Sequence, residues 1–366
     1  MGRATRLGAL ACTAFVAACS SFKDGASGQD GGTDGPSADT AAVDAPADAP
    51  TLDAKPAHDA TVDAAHDAEA GPTTGQDSAT ADMDAGGGLQ VLADNLVQSL
   101  LVIVDDTNIY FYDEGGNGTV YQCPKTGCGG APIVLGTVEA TALAVDSQDV
   151  YWNDFAGGAI DACSIGGCQN QPKVIAASQP SAEGVAFDGT NLYWPSTGTI
   201  WTCVPPTCAP ISAVAKNQPT SIVLLAAETD AVYWLASGSV ESCPATGCPL
   251  APTTIATGAS GDAVVVKNGT AYFTVGNSVV SCPATGCTTP HTIGASDDPY
   301  GLATDGVSIY WIDDIDEAIY SCPVTGCSGS ASHFATNQLV EQGANIAVDG
   351  EYVYWTNGAQ VVRQHK

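Results

Sequence analysis

The sequence predicts an all-β fold, a closed seven-bladed β-propeller of four-stranded blades spanning residues 89–366. Three observations carry it. An aromatic doublet returns at Tyr110-Phe111, Tyr151-Trp152, Tyr193-Trp194, Tyr233-Trp234, Tyr272-Phe273, Tyr310-Trp311 and Tyr354-Trp355, spaced by 38 to 44 residues. Between doublets lies a second marker, two cysteines enclosing four residues: Cys123/Cys128, Cys163/Cys168, Cys203/Cys208, Cys243/Cys248, Cys282/Cys287 and Cys322/Cys327. Both markers share a period of about forty residues, the length of one blade. The third observation is the strand count. First, second and third strand types occur seven times each, but only six fourth strands follow a complete blade.

Each repeat reads as four short strands cut by turn residues. In the third copy these are 184–187, 191–194, 199–203 and 211–215, with Asp188-Gly189 as the first turn. β-Branched and aromatic runs this short, broken by Gly, Asp and Pro, exclude a helical reading. The missing fourth strand lies at the other end of the domain. Leu89-Gln90-Val91-Leu92-Ala93 matches Pro172-Lys173-Val174-Ile175-Ala176, the stretch that precedes another first strand. The N-terminal strand is therefore expected to complete the last blade and remove the open edge. Six blades with a spare terminal unit is the alternative.

Upstream of the repeats the chain changes character. Arg3 and Arg6 precede an apolar stretch over 7–18, which reads as a signal peptide too short to span a membrane. It ends in Val16-Ala17-Ala18-Cys19, which resembles the bacterial lipobox and implies cleavage before Cys19 and lipidation of its sulfur. Ser20 follows where an Asp would resemble an inner-membrane retention signal, which favours the outer membrane. Residues 19–88 are rich in Ala, Asp and Gly, broken by Pro36, Pro46, Pro50, Pro56 and Pro72. They offer no apolar face and are expected to form a disordered tether.

The six cysteine pairs read as local disulfides at hairpin mouths, since Pro and Gly between them suit tight turns and export permits oxidation. Zinc is disfavoured because a site needs two such pairs together, whereas a propeller spreads them around a rim. The doublets read as packing between neighbouring blades, because adjacent strand residues face opposite ways.

At Val150-Tyr151-Trp152-Asn153-Asp154 and Ile309-Tyr310-Trp311-Ile312-Asp313 the chain resembles the Tyr-Trp-Thr-Asp repeats of lipoprotein-receptor-type propellers. Gly301-Leu302-Ala303-Thr304-Asp305 is similar to the strand that precedes that motif. The resemblance implies an extracytoplasmic, protein-binding propeller without catalysis. It departs in two ways. That family has six blades, and the motif Asp is Ser196, Ala236, Val275 and Asn357 in four copies here.

Function is less legible. Asp and Glu number 40 against 10 Lys and Arg, a formal charge of −30, which repels nucleic acid. The folded part holds only His291, His333 and His365, and no nucleophile elbow or phosphate loop occurs. The expectation is a monomeric, non-catalytic envelope binding, adhesion or scaffold lipoprotein, held at the membrane by its lipid, with a protein or envelope component, basic in character, as partner. The alternatives are a propeller enzyme such as a lyase or lactonase, and a purely structural envelope protein. No cofactor is expected other than a candidate calcium at Asp297, Asp298, Asp313, Asp314, Asp316 and Glu317, where loop carboxylates crowd.

Overall fold

The computed structural model describes residues 88–366 apart from 221, 223, 224, 230, 249, 262, 329 and 342. The readings of a signal peptide, lipidated Cys19 and tether fall outside the described residues. The described chain forms seven four-stranded antiparallel sheets, and in six of them the strands follow in sequence order. The seventh is ordered Gln90–Ala93, Gln360–His365, Tyr352–Asn357, Ile346–Val348, so the first strand of the domain is the outer strand of the last blade. Gln90 stands opposite Arg363 and Val91 opposite Val362. The ring has seven blades and closes as the strand count requires. In blade three the inner strand is only Ala186–Phe187, shorter than the expected 184–187. Continuing its register would set Gly184 opposite Pro195, which has no backbone N–H to donate.

Every interface between blades is built on the doublets. Tyr110 packs in one cluster with Trp152 of the next blade, Tyr151 with Trp194, and Tyr193 with Trp234. Tyr233 meets Phe273, Tyr272 meets Trp311, and Tyr310 meets Trp355. The seventh cluster closes the circle, setting Tyr354 of the last blade with Phe111 of the first. All these rings are buried, so they form no exposed ladder for sugar. The tyrosine hydroxyls need partners once buried. Tyr110, Tyr151, Tyr193 and Tyr354 donate to Asp105, Asp146, Asp188 and Asp349, five residues earlier in each case, at 2.6–2.7 Å. Each aspartate also accepts backbone N–H groups of its own turn, so one residue shapes the hairpin and satisfies the phenol.

The expected disulfides form in all six loops: Cys123–Cys128, Cys163–Cys168, Cys203–Cys208, Cys243–Cys248, Cys282–Cys287 and Cys322–Cys327, with Cα–Cα distances of 4.7–5.8 Å. The staples are local as expected, and the loops they close also reach the neighbouring blade. The N–H of Cys128, Cys248, Cys287 and Cys327 donates to Leu92, Val214, Ile255 and Ile293 in the outer strand of the preceding blade, at 2.8–3.0 Å. Gly247, just before Cys248, has φ +93°, and a Cβ there would stand 3.4 Å from the Val214 carbonyl. The conformation favours glycine.

Blades two and three depart from this pattern. Cys168 is bonded to Cys163 in the expected local staple, and it also meets blade one through its sulfur. The Cys168 Sγ lies 3.2 Å from the Leu135 carbonyl, in the outer strand Ile133–Thr137. The physical reason is that this loop folds down onto blade one, where the Gly166 N–H also donates to the Gln122 side chain at 2.9 Å. In blade three the N–H of Cys208 turns back to Val204 of its own loop.

Blade seven, the one made from both ends of the domain, carries additional polar ties. Lys125 of blade one pairs with Asp349, and Lys366 pairs with Asp305 of blade six, each at 2.6 Å. Arg363 donates to Gln90 within the closing pair of strands and lies 4.0 Å from the Tyr352 ring centre. Deleting residues 89–93 should expose the edge of 360–365 and lower the thermal midpoint by at least about 5 °C. Deleting 20–86 should leave it unchanged. Thermal unfolding followed by circular dichroism checks both, and equal midpoints for the two deletions would contradict closure by this strand.

Candidate functional site

Strand direction divides the ring into two faces. One carries the turns after the inner strands and the cysteine loops. The other, the loop face, carries the loops between second and third strands and the connections between blades. Lys125, Lys173, Lys267, Arg363 and Lys366 belong to the cysteine-loop side, and among the described residues Lys216 is the single lysine or arginine on the loop face. His291 and His333 begin outer strands and His365 ends a third strand, also on the cysteine-loop side. Any acid–base chemistry on the loop face therefore belongs to carboxylates and phenols.

The inner strands of blades one to five line a cavity of about 320 Å³ with Ile103, Leu143, Val145, Val185, Phe187, Leu225, Val264, Val266 and neighbouring alanines. On the loop face, the connection between blades six and seven is tied to the blades on both sides of it. Tyr300 of blade six donates to the Glu341 carbonyl at 2.9 Å, and Gln98 Nε2 donates to the Glu341 carboxylate at 2.5 Å. Asn345 donates to the Leu100 carbonyl and accepts from the Val102 N–H. The inner strands of blades one and six are both bulged here, between Ser99 and Leu101 and between Tyr300 and Leu302. Gly301 sits in the second bulge at φ +52°, where a Cβ would come within 3.0 Å of the Ala344 carbonyl.

Carboxyl groups around this strap hold their protons more tightly than usual. Burial raises Glu114, and the nearby charges of Glu341, Glu139 and Asp113 raise it further. Asp314 is raised by burial and by Asp298 and Asp313, and Glu183, two residues before the channel-lining Val185, by burial alone. Burial and then Glu114 and Glu139 push Tyr112 up to about 12. Tyr300 is raised further still, by burial and by Asp314, Asp298, Asp313 and Glu341, so its phenol stays protonated throughout the neutral range.

Two of the candidate calcium residues, Asp313 and Asp316, are put to other uses, and Asp314 keeps one buried oxygen without a protein partner among the described residues. Asp313 is fully buried and its carboxylate accepts the N–H of Asp298 at 2.8 Å and of Asp316 at 2.9 Å. Burial opposes its charge, but these bonds hold its pKa below the ordinary range. Asp316 accepts the Tyr320 hydroxyl at 2.5 Å, and Asp297, Asp298 and Glu317 are exposed. Among the described residues no group of three or more His, Cys, Asp or Glu is placed to hold a metal ion. Asp313 shares its role with Asp113, which accepts the N–H groups of Val97 and Gln98, and with Asn357, which accepts that of Leu339. The motif position that reads as a family signature in sequence thus anchors the connection arriving from the preceding blade.

One buried carboxyl escaped sequence reasoning. Asp161 lies opposite Trp152 and is 6% exposed, and neither its Oδ1 nor the Trp152 Nε1 has a protein partner. The indoles of Trp194, Trp311 and Trp355 donate to Gln179, Ser296 and Gln338, while that of Trp234, like that of Trp152, has no protein partner among the described residues. Burial, and secondarily Asp154, pushes Asp161 up to about 6. Folded protein keeps this proton to higher pH than the unfolded chain, which releases it near pH 4. Stability from Asp161 is therefore full below about pH 4 and lost as pH rises towards 6. Asp161→Asn should raise the thermal midpoint over wild type at pH 7.5 and leave little difference at pH 4; equal gains at both would contradict the assignment.

No protein-family model matches the chain, and no curated protein sequence matches it. Among solved structures it is similar to virginiamycin B lyase from Staphylococcus aureus, with 12% identity and a TM-score of 0.61 over 77% of this chain and 100% of that one. A streptogramin B lyase aligns at 12% identity and 0.60, over 76% and 97%. Hydrazine synthase from Kuenenia stuttgartiensis aligns at 14% and 0.58, over 74% and 96%. Identities this low show the shared fold. They also count against the expectation of a non-catalytic binding, adhesion or scaffold module, because the propellers of this fold named here are two lyases and a synthase. The absence of histidine from the loop face is no obstacle, since carboxyls held above their ordinary range transfer protons as well.

Proposed function

We propose that this chain is a propeller enzyme that performs general acid–base chemistry on its loop face, in a reaction of the lyase kind. The observation that carries this reading is the Glu114 carboxyl, raised by burial, Glu341, Glu139 and Asp113, beside the strap that Gln98 and Tyr300 hold. A base is most effective when its pKa lies near the working pH. In an elimination, Glu114 takes a proton from the carbon next to a carbonyl and the C–H electron pair forms the new double bond. The ester oxygen departs with its own bonding pair as a carboxylate that needs no proton, and the Tyr300 hydroxyl, which stays protonated, can donate a hydrogen bond to it. Tyr300 and Glu114 share Glu341 as neighbour, which sets both groups at one strap.

The likeness to virginiamycin B and streptogramin B lyases supports a search among cyclic esters and depsipeptides, and quinupristin, seen with a catalytically inactive lyase variant, is a direct probe. The propeller is carried outside the cytoplasm on lipidated Cys19, in the outer membrane, a reading supported by the lipobox-like Val16-Ala17-Ala18-Cys19. The resemblance to lipoprotein-receptor-type repeats supports an extracytoplasmic setting as well, through the Tyr151-Trp152 and Tyr310-Trp311 motifs.

Mass spectrometry of a lactone panel incubated with the full chain tests the reaction class. Opening by elimination leaves the mass unchanged, whereas hydrolysis adds the mass of one water. Glu114→Gln should lower the rate by about 10²-fold or more, and wild-type rate should fall as pH drops through the raised Glu114 range. A Glu114→Gln variant as fast as wild type would overturn this assignment.

A further inference from the structure

We infer that Asn117 is a site of spontaneous covalent modification, where the chain converts this asparagine to aspartate and isoaspartate through a succinimide. The inference does not depend on the catalytic reading. Asparagine before glycine is the reactive pairing, because no side chain shields the attacking glycine nitrogen. The chain holds three such pairs, Asn117-Gly118, Asn268-Gly269 and Asn357-Gly358, and the fold treats them differently. Two are held by other segments. The Asn357 side-chain oxygen accepts the Leu339 N–H at 2.6 Å, and the Gly358 N–H donates to the Leu339 carbonyl at 2.7 Å. Asn268 and Gly269 form the turn between Lys267 and Thr270. Both of their N–H groups donate to the Glu228 carboxylate of blade four, at 2.7 and 3.0 Å. Closing a ring at either pair means breaking these bonds first.

Asn117 has no such restraint. It is exposed, and its side chain makes no hydrogen bond among the described residues. It lies in the loop Glu114-Gly115-Gly116-Asn117-Gly118, whose glycines leave the backbone free to turn. A Cβ at Gly116 would meet nothing within 4 Å, so the loop has room to move. Among the described residues the Gly118 N–H is bonded only inside this loop, to the Gly115 carbonyl at 3.2 Å. Glycine at 118 is itself imposed by packing. Its φ is +72°, and a Cβ there would run into the Tyr112 hydroxyl and the Val138 carbonyl. In the reaction the Gly118 nitrogen bonds to the Asn117 side-chain carbonyl carbon and gives up its proton. The side-chain nitrogen leaves with that proton as ammonia. Water then adds to either carbonyl of the ring and breaks its bond to nitrogen. Both products place a new carboxylate on the loop that carries Glu114, and isoaspartate lengthens the backbone by a methylene ahead of strand Thr119–Pro124.

Peptide mass spectrometry, with fragmentation that separates aspartate from isoaspartate, tests this at all three asparagines. The native full chain is compared with the same chain reduced and unfolded in urea, where each pair reacts without restraint. Folding should slow Asn268 and Asn357 by about tenfold or more and leave Asn117 within about threefold of its unfolded rate. Conversion at Asn117 should quicken at alkaline pH, where the attacking nitrogen sheds its proton more readily, and should take up heavy oxygen from labelled water. Asn117→Gln should abolish the change in this loop and leave the other two rates as they were. Folding that slows Asn117 as much as Asn268 or Asn357, or a native chain in which either of those reacts first, overturns the inference.

Discussion

The structure depends on the handover of one aromatic ring to the next blade. On each second strand Tyr points to one side and Trp or Phe to the other, so no blade can bury both rings by itself. Each blade needs a neighbour on both sides, and the last pair, Tyr354 with Phe111, is satisfied only when the ring closes. Burying such rings contributes a few kcal/mol each, on the order of 2–3. Seven repeats that are individually incomplete thus become one cooperative body. In four blades the aspartate five residues before the tyrosine completes the unit by receiving the buried hydroxyl, and four of the cysteine loops add a backbone bond to the blade behind.

Closure is where a ring of repeats is weakest, because the closing blade draws its strands from opposite ends of the domain and must bring them together across the whole sequence. The polar ties cluster there: Lys125 with Asp349, Lys366 with Asp305, and Arg363 with Gln90. Ion pairs this close to the surface are individually modest. Their placement around one blade, together with the outer strand 90–93, makes the joint comparable to the other six. With the frame fixed in this way, the loop face is free to carry groups that do not stabilise it, and there the crowded carboxyls of Glu114 and Asp314 and the buried one of Glu183 stand.

Much of the fold is legible in the sequence because its signals repeat. The doublets, the cysteine pairs and the surplus strand at 89–93 each state the same period, and the closing strand follows from counting. The reach of the cysteine loops to the preceding blade is invisible in sequence, since it depends on a left-handed glycine meeting a carbonyl some thirty residues earlier, as Gly247 meets Val214. Cys168 shows the same limit, since its pairing with Cys163 is legible but the approach of its sulfur to Leu135 is not. The site is harder for the opposite reason. Glu114, Glu341 and Tyr300 belong to no repeat and come from three separate connections, and nothing in their spacing says that they share a strap. Asp313 and Asp316 look like metal ligands in sequence because they are crowded, yet their oxygens are taken by backbone N–H groups and a tyrosine. Crowding along a chain does not tell which way carboxylates point.

The claim that most needs direct measurement is that the strap sets the proton affinity of Glu114. Carbon-detected NMR titration of the glutamate side chains, in wild type and in Glu341→Gln, measures it without any substrate. The account predicts a Glu114 midpoint above the ordinary glutamate range, moving down when Glu341 loses its charge. A midpoint at the ordinary value, or one indifferent to Glu341, would contradict it.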